Sequence, residues 1–378
     1  MSKIEVVAIP LQKKEIKKFV KFAWKIYKGN KYWVPPIISD LVGKIVSGPY
    51  HEVGVLQPFL AYKDGEIVGR IIAHYDKRHN EVHEEKSGRF GFFECINDKE
   101  VSRALFDSSK EWLIKEGMKT YEGPFSFLQY DASGLLLDDY ENIPSLELAY
   151  NPPYYVDLVE DYGFKKGSDW FAFLATKEMD LSPLVFEFHK NIQKRIDDPN
   201  DGLTIRSLNL KDFENEKRRI QEVFNKAWEK NLLHYPLTDT QIDAFGEDLK
   251  LIAKEELIIF AEYNGELIGF ILSLPDANPA IQKANGRLFP FGLLKILWKL
   301  KKIRRLKTFM MGVLPEYRKQ GIDMFFYLET YLRGTGMGYN ESCMSLIVEN
   351  NIGMLKALEI FGGEKYKTYR FYKKDLHS

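Results

Sequence analysis

The alternation of apolar and polar residues predicts two similar hairpins, one in each half of the chain. Residues 60–72 read LAYKDGEIVGRII and residues 260–272 read FAEYNGELIGFIL, with five of thirteen positions identical. Each segment has two apolar strands joined by Asp-Gly or Asn-Gly, which favour tight hairpin turns. A second match follows at nearly the same offset, where residues 151–163 end in VEDYG and residues 350–362 end in LEIFG. Two matches in one register predict a duplicated domain of about 180 residues.

The boundary between the two halves is predicted at a linker helix, with the second domain beginning at about residue 200. Ser182 and Pro183 provide a helix cap and a first-turn proline. The sequence LVFEFHKNIQKRI continues as one amphipathic helix, and the turn residues DDPNDG end it. We therefore expect a first domain over 1–180, a linker helix over 181–200 and a second domain over 201–378.

The periods of the apolar residues in the second half predict ten elements. In order they are strand, two helices, three strands, helix, strand, helix and strand. Their predicted bounds are 203–208, 211–230, 238–253, 257–263, 266–274, 307–314, 321–333, 342–348, 351–361 and 365–373. Thr238 is expected to cap the helix 238–253. This order predicts an α/β fold built on a mixed sheet.

The loop before the predicted helix 321–333 is the strongest candidate for a binding site. Arg318, Lys319, Gln320 and Gly321 come directly before this helix. The N–H groups and the dipole of a helix N-terminus attract anions. A glycine lets a ligand approach the backbone, and Arg318 and Lys319 add positive charge. The pattern predicts a pyrophosphate site.

This loop and the order of the elements resemble the GNAT (Gcn5-related N-acetyltransferase) superfamily. The segment reads VLPEYRKQGID, and Arg318 and Gly321 fill the first and fourth positions of the family pattern R/Q-x-x-G-x-G/A. The resemblance covers the second half well, and the first half only by element order and the repeat. It implies two tandem GNAT-like domains and acetyl-CoA or a longer acyl-CoA as the cofactor, used as a substrate, without a metal. The residues implied to contact it are Val313, Leu314, Arg318, Lys319, Gln320, Gly321, Ile322, Asp323, Asn350 and Asn351.

Asp323 departs from the family pattern, which has Gly or Ala at this position. As an acid in the first turn of a helix, Asp323 would be favoured by the helix dipole. Its carboxylate would also repel a pyrophosphate. The sequence leaves both interpretations open.

The first half lacks an equivalent loop. After a predicted strand at 89–94, the chain reads CINDKE, which contains no glycine. Glu94, Asp98 and Glu100 surround the position, and their carboxylates would oppose a phosphate. We therefore expect a first domain without a cofactor site, which shapes the acceptor pocket.

The catalytic groups are not evident from the sequence. In the GNAT superfamily an acid is often a Tyr four residues before the helix-ending Gly, and these positions hold Leu358 and Val159 here. Catalysis would then rest on positioning and backbone donors, or on acid–base groups from elsewhere. The candidates are His234, Tyr235, Tyr130 and Tyr150. His234 is equally interpreted as a surface-loop histidine, and the aromatic segment 123–155 as a structural loop that packs the two domains together.

An insertion over 276–306 separates two predicted strands of the second half. From Arg287 to Lys307 it has eight basic residues and no acidic residue, interleaved with apolar ones. This pattern predicts a basic amphipathic helix. Three interpretations remain open: docking of 287–307 on an anionic membrane surface, a lid over an acyl or lipid channel, and a packed helix with a solvated charged face.

Composition narrows the function classes. The 378 residues contain 54 Lys and Arg and 54 Asp and Glu, so the formal charge is zero and a nucleic-acid partner is not expected. Cys95 and Cys343 form no metal-binding motif, and no apolar run reaches the length of a membrane span. We expect a cytoplasmic protein, peripheral on the inner membrane face if the insertion binds lipid.

The insertion, the NPPYY segment and the two-domain arrangement resemble a group of tandem GNAT proteins that includes the bacterial ceramide synthase-like proteins. Those proteins N-acylate a long-chain amine. The resemblance implies an N-acyltransferase that uses acyl-CoA and a primary amine, either a small molecule or lipid-like. The alternative is a catalytically degenerate module that binds acyl-CoA or lipid at the membrane surface.

Overall fold

The computed structural model describes residues 3–127, 131–231 and 234–377, without the side chain of Asp248. The described chain forms two compact units. Unit 1 consists of Met1–Trp170, Asn278–Lys301 and Lys367–Ser378, and unit 2 of Phe171–Ala277 and Lys302–Tyr366. The division therefore differs from the expected halves, because the insertion and the last strand residues group with unit 1.

The first part of the chain alternates strands with helices. Its elements are β1 (Ile4–Ala8), α1 (Lys13–Lys21), α2 (Ala23–Ile26), α3 (Ile38–Ser47), α4 (Tyr50–Val53), β2 (Gly54–Lys63), β3 (Glu66–Asp76), α5 (Lys77–Val82), β4 (Ser87–Cys95), α6 (Lys99–Lys115), β5 (Thr120–Gly123), β6 (Leu135–Leu136), α7 (Tyr155–Asp161) and β7 (Lys165–Thr176).

The second part repeats the order of strands and helices in outline. Its elements are α8 (Pro183–Asp197), β8 (Leu203–Ser207), α9 (Phe213–Trp228), α10 (Asp239–Lys250), β9 (Ile258–Tyr263), β10 (Glu266–Pro275), α11 (Asn278–Ala284), α12 (Gly292–Leu300), β11 (Arg305–Val313), α13 (Ile322–Gly336), β12 (Glu341–Val348), α14 (Ile352–Phe361) and β13 (Glu364–Asp375).

Both units contain a mixed sheet, as the sequence predicts. In unit 1 the strands lie in the order β1, β2, β3, β4, β5, followed by the part of β13 from residue 367. In unit 2 the order is β12, β11, β10, β9, β8. The pairs β4–β5 and β11–β12 are parallel, and the neighbouring pairs in the two series are antiparallel.

The two predicted hairpins have the same backbone geometry. The turn between β2 and β3 has positive φ at Asp64 and Gly65, and the turn between β9 and β10 has positive φ at Asn264 and Gly265. Two consecutive positive φ angles define the type I′ turn, whose twist matches that of the flanking strands. In each hairpin the register skips one residue of the second strand. The skipped residues, Val68 and Ile268, are at equivalent positions of the repeat. The internal repeat is therefore structural as well as sequential.

Helix caps that were predicted from the sequence are present. The Ser182 hydroxyl accepts a hydrogen bond from Leu184 N at the start of α8. Thr238 and Gln241 form a reciprocal capping box at the start of α10. These local interactions fix where the helices around the candidate site begin.

The basic helix of the insertion is shorter than the predicted span. It covers Gly292–Leu300, because Pro290 lies before its start and β11 already begins at Arg305. A second short helix, α11, precedes it. No helix in the described part of the chain is both long and apolar enough to cross a membrane.

Candidate active site

The candidate anion site lies where β11 passes into α13 in unit 2. After β11 the chain makes one turn of 3-10 helix over Pro315–Tyr317. Lys319 has φ 61° and Gly321 has φ 88°, so the backbone is left-handed twice before α13 begins at Ile322. A glycine adopts this conformation without strain, which explains the need for Gly321.

The N-terminus of α13 has no side-chain cap. The first N–H groups of a helix have no acceptor within the helix. Gly321 provides no side-chain cap for them, and Arg318, Lys319 and Gln320 are exposed beside it. This arrangement is suited to a phosphate group.

Arg318 braces the loop. Its Nε donates to Val313 O at 3.0 Å, and its Nη2 donates to Ala227 O at the end of α9. The guanidinium therefore ties the loop to both β11 and α9 while it keeps a positive charge there. Its contact with a cofactor stays a prediction.

The strands β11 and β12 are paired over only part of their length. The pairing runs from Arg305↔Glu341 to Thr308↔Met344. Beyond this point the described strands continue to Val313 and Val348 without being paired to each other. We refer to this unpaired part, which ends at the loop before α13, as the gap between β11 and β12.

A side chain of α9 donates a hydrogen bond to a carbonyl group in the part of β11 that is not paired with β12. Trp228 Nε1 donates to Met311 O at 3.0 Å. A β-bulge lies in the same stretch, because Met310 pairs with Leu272 whereas Thr308 pairs with Ser273, which leaves Phe309 as the extra residue. Bulges often occur next to active sites, where they redirect backbone groups.

Comparison with known proteins places this geometry in a family. No family model matches the chain. The chain is 32% identical to Protein YghO of Escherichia coli (strain K12), over 97% of this chain and 94% of the relative. Its fold is similar to that of a tandem GNAT protein from the clavulanic acid biosynthesis pathway, with a TM-score of 0.57, 12% identity and 99% of each chain covered. The chain belongs to the same family as Protein YghO, and its fold is that of tandem GNAT proteins.

A second relative adds a chemical indication. The chain is 28% identical to the bacterial ceramide synthase of Caulobacter vibrioides (strain NA1000 / CB15N), over 96% of this chain and 95% of the relative. The expected resemblance to tandem GNAT proteins and to the ceramide synthase-like group is thereby confirmed.

Other residues predicted at this GNAT-type loop have defined backbone or packing roles. Leu314 N donates to Ile268 O at 2.9 Å, and Leu314 O accepts from Tyr317 N at 3.0 Å. Ile322 is buried in the core of unit 2, and Asp323 lies partly exposed in the first turn of α13. Cofactor contacts of Val313, Leu314, Ile322 and Asp323 stay predictions.

The Asn pair lies at the start of α14. Asn351 caps this helix by accepting a hydrogen bond from Met354 N at 3.2 Å, and Asn350 is exposed. Asn351 therefore has a structural role independent of any cofactor.

The candidate acid–base residues lie in different places. His234 and Tyr235 are buried in unit 2, and the His234 ring lies 5.3 Å from Phe224 and 6.4 Å from Trp228, measured between centroids. Since Trp228 binds Met311 O, one aromatic ring separates His234 from the unpaired edge of β11. The interpretation of His234 as a surface residue is therefore wrong.

The other two candidates belong to the first half. Tyr150 lies in unit 1, where its hydroxyl donates to Tyr140 O at 2.8 Å and accepts from Asn30 Nδ2 at 3.0 Å. These two hydrogen bonds connect the Tyr150 hydroxyl to Asn30 and to the backbone of Tyr140. Tyr130 lies outside the described residues.

The positions of the usual GNAT acid are apolar and buried. Leu358 and Val159 are both 0% exposed, in the cores of unit 2 and unit 1. Gly362 and Gly163 follow their helices with φ 94° in both cases. Both units thus keep the glycine that ends this helix, and both have an apolar residue at the position of the usual acid.

In unit 1 the helix α6 corresponds to α13, and a carboxylate, that of Asp98, caps its N-terminus. Asp98 accepts hydrogen bonds from Glu100 N at 2.9 Å and Val101 N at 3.4 Å, and it pairs with Lys63 at 2.9 Å. The N-terminus of α6 therefore already has an anion. The starts of α6 and α13 therefore differ, and a cofactor site in unit 2 alone stays a prediction.

Sequence reasoning missed three residues near the site. Trp228 follows the apolar face of α9 and could have been noticed from that pattern. Phe188 of α8 lies over Gly321, because a Cβ built on Gly321 would be 3.0 Å from Phe188 Cδ1. Lys307 is 2% exposed, and a lysine in a strand gives no sequence signal for such burial.

Lys307 is bound where β11 and β12 separate. Its Nζ donates to Ser345 O at 3.1 Å and to the Ser345 hydroxyl, one residue beyond the last paired residue of β12. The Cys343 Sγ lies 3.4 Å from Ser345 Oγ. The Lys307 ammonium therefore connects β11 to β12 at the point where their pairing ends.

Replacing Lys307 by Met should destabilise unit 2 by about 1–3 kcal/mol, because the partly buried Ser345 O would lose its hydrogen bond from Lys307 Nζ. Thermal unfolding would measure the loss, and Lys254→Met on the exposed surface is the control, expected to change stability by less than about 0.5 kcal/mol. Equal stability of the two variants would contradict the proposed role of Lys307.

A pocket in unit 2 lies elsewhere. It is bordered by α13 and by the paired ends of β11 and β12, including Tyr327, Thr308 and Met344. None of its lining residues belongs to the loop at 314–321. The described residues also contain no group of three or more His, Cys, Asp or Glu that could hold a metal ion.

Proposed function

We propose that this protein is an acyl-CoA-dependent N-acyltransferase that transfers an acyl group to a primary amine. The observation that carries the proposal is the uncapped N-terminus of α13 at Gly321, next to the gap between β11 and β12. A pyrophosphate would bind at the helix, and the extended acyl-carrying arm would enter the gap between the strands.

The reaction needs few groups from the protein. The neutral amine nitrogen attacks the thioester carbonyl, a C–N bond forms and the C–S bond breaks. The amine gives up one proton to a base, and the leaving thiolate takes up one proton. The backbone N–H groups of β11 beyond Thr308 that do not bond to β10 are the donors available to the developing oxyanion.

A lipid-like amine is the acceptor that we favour. The support is the identity with a protein named bacterial ceramide synthase over nearly the whole chain. The exposed apolar helix α12 is a second, independent reason, since a lipid substrate is reached at a membrane.

The test is acyl transfer by the purified full chain. Acetyl-CoA, an acyl-CoA of medium length and a long-chain acyl-CoA would each be combined with a short or a long-chain primary amine. We expect release of free thiol together with an equal amount of amide, detected by mass spectrometry, and fastest with the long-chain amine. Binding of acyl-CoA without thiol release from any pair would favour the alternative of a binding module.

Replacing His234 by Phe tests whether its ring takes part in proton transfer. Phe keeps the contacts with Phe224 and Trp228 but removes the ring nitrogens. If His234 transfers a proton, we expect kcat to fall by about 10²–10⁴-fold while the affinity for acyl-CoA stays unchanged. A kcat within a few-fold of the wild type would assign His234 to packing alone.

A further inference from the structure

The insertion presents a group of apolar side chains to solvent. In unit 1 these side chains are between 42% and 77% exposed. They are Phe289, Phe291, Leu293, Leu294, Leu297 and Trp298. Contiguous exposed apolar surface usually marks an interaction site. We refer to these six residues as the apolar face of the insertion.

The segment before α12 is fixed to the rest of unit 1, so its exposure is not that of a loose loop. The bonds are Asn278 Nδ2 to Pro144 O at 2.8 Å, Gln282 Nε2 to Lys31 O and to Trp33 O at 3.0 Å, Trp24 Nε1 to Asn285 Oδ1 at 2.9 Å, and Ile38 N to Gly286 O at 3.0 Å.

Helix α12 is apolar on two sides. Gly292, Ile296 and Leu300 are buried or partly buried and recur every four residues, which places them on one side. Leu293, Leu294, Leu297 and Trp298 share the other side, by the same spacing, and are exposed. A packed helix with a solvated charged face would bury its apolar residues, whereas α12 exposes four of its six large apolar side chains.

The charge around the apolar face has one sign. Lys283, Arg287, Lys295 and Lys301 are exposed, and the chain from Arg287 to Lys307 contains no acidic residue. The whole chain is neutral, so the positive charge is concentrated here. Exposed apolar side chains next to basic ones match the acyl layer and the anionic headgroups of a bilayer.

We propose that the apolar face of the insertion docks on an anionic lipid bilayer. A second copy of the chain is a poorer occupant, because a two-fold contact through α12 would bring the same basic residues together. A nucleic acid would be bound by the basic residues but would leave the aliphatic part of the face exposed. The inference goes beyond the proposed function and does not depend on it.

Co-sedimentation of the full chain with vesicles tests the proposal. The vesicles would be phosphatidylcholine alone or phosphatidylcholine with about one part in four of phosphatidylglycerol, each at low and high salt. The variant Leu294→Ser/Leu297→Ser removes two apolar side chains from the exposed side of α12. Leu251→Ser is the matched control, because Leu251 is 85% exposed in unit 2, outside the insertion.

We expect the wild type and Leu251→Ser to bind the anionic vesicles, more weakly at high salt. The double variant should bind at least about tenfold more weakly, since apolar burial contributes directly to interfacial binding. Equal binding by the double variant, or no binding by the wild type, would overturn the proposal. A wild-type dimer that the double variant abolishes, without vesicle binding, would assign the face to a second copy instead.

The same variants separate this proposal from the proposed function. The apolar face lies outside the loop at 318–321, so Leu294→Ser/Leu297→Ser should bind acyl-CoA like the wild type. Lost vesicle binding with unchanged acyl-CoA affinity supports docking by the insertion. If the wild type does not bind acyl-CoA, the enzyme proposal is contradicted, and the vesicle result stays valid.

Discussion

A Gly321→Asp variant should bind acyl-CoA about 100-fold more weakly than the wild type, or worse. The new carboxylate would lie at the N-terminus of α13, where we expect the pyrophosphate. At about 4 Å, two unit charges repel by about 4 kcal/mol at the effective dielectric constant near a protein surface. A loss of about 100-fold corresponds to about 2.7 kcal/mol and is therefore well within this range.

Unit 1 already contains the arrangement that this variant would create. There Asp98 caps α6 by accepting hydrogen bonds from Glu100 N and Val101 N. Its loop is also shorter, since Ile96 and Asn97 alone separate β4 from Asp98. The variant would thus convert the open helix end of unit 2 into the self-capped end of unit 1.

Gly321→Asn is the matched control. Asn and Asp have nearly the same size, and both tolerate the left-handed backbone found at Gly321 better than most other residues. Both would place a Cβ 3.0 Å from Phe188 Cδ1, so the steric cost cancels between them. Calorimetric titration with acyl-CoA measures the difference. Equal affinities of the Asp and Asn variants would show that the helix end does not hold the phosphates.

The sequence was informative where local chemistry determines structure. The dipeptides Asp64-Gly65 and Asn264-Gly265 were sufficient to predict both hairpins, because two positive φ angles favour these residue types. Ser182 and Thr238 likewise indicated helix starts through side-chain capping. Gly321 indicated a helix start that a ligand can approach, because glycine has no side chain.

Features that depend on distant contacts could not be predicted. Arg318 was interpreted as a phosphate ligand, yet it also braces the loop through Val313 O and Ala227 O. Nothing local shows that an arginine will find two carbonyl groups, one of them 91 residues away. The grouping of the insertion with unit 1 likewise rests on contacts such as Asn278 with Pro144.

A buried ion pair in unit 1 occupies the place that corresponds to the open strand of unit 2. Arg70 and Glu94 pair across β3 and β4, where the matching register positions of β10 and β11 hold Phe270 and Gly312. Arg70 Nη2 lies 3.3 Å from Glu94 Oε1, and Tyr155 Oη donates to Glu94 Oε2 at 2.7 Å. Burial raises the pKa of the Glu94 carboxyl, and Arg70 opposes this shift.

Replacing Arg70 by Met should destabilise unit 1 by about 3–5 kcal/mol at neutral pH, because a buried carboxylate would lose its partner. Phe19 O and Val20 O would also lose hydrogen bonds from Arg70 Nη1. The double variant Arg70→Met/Glu94→Leu removes both charges and should recover much of the loss. Hydrogen exchange of the amide groups in α6 reports the stability of this unit directly.

The pH dependence of Arg70→Met separates an unpaired carboxylate from a simple packing defect. Without Arg70 the pKa of Glu94 in the folded protein should rise further above its unfolded value of about 4.3. The folded state then holds a proton that the unfolded state has released, so stability falls as pH rises above the unfolded pKa. The defect should therefore be smaller near pH ~5 than near pH ~7.5, and the double variant should lack this dependence. A defect of the same size at both pH values would mean that Arg70 stabilises unit 1 by packing and not by neutralising Glu94.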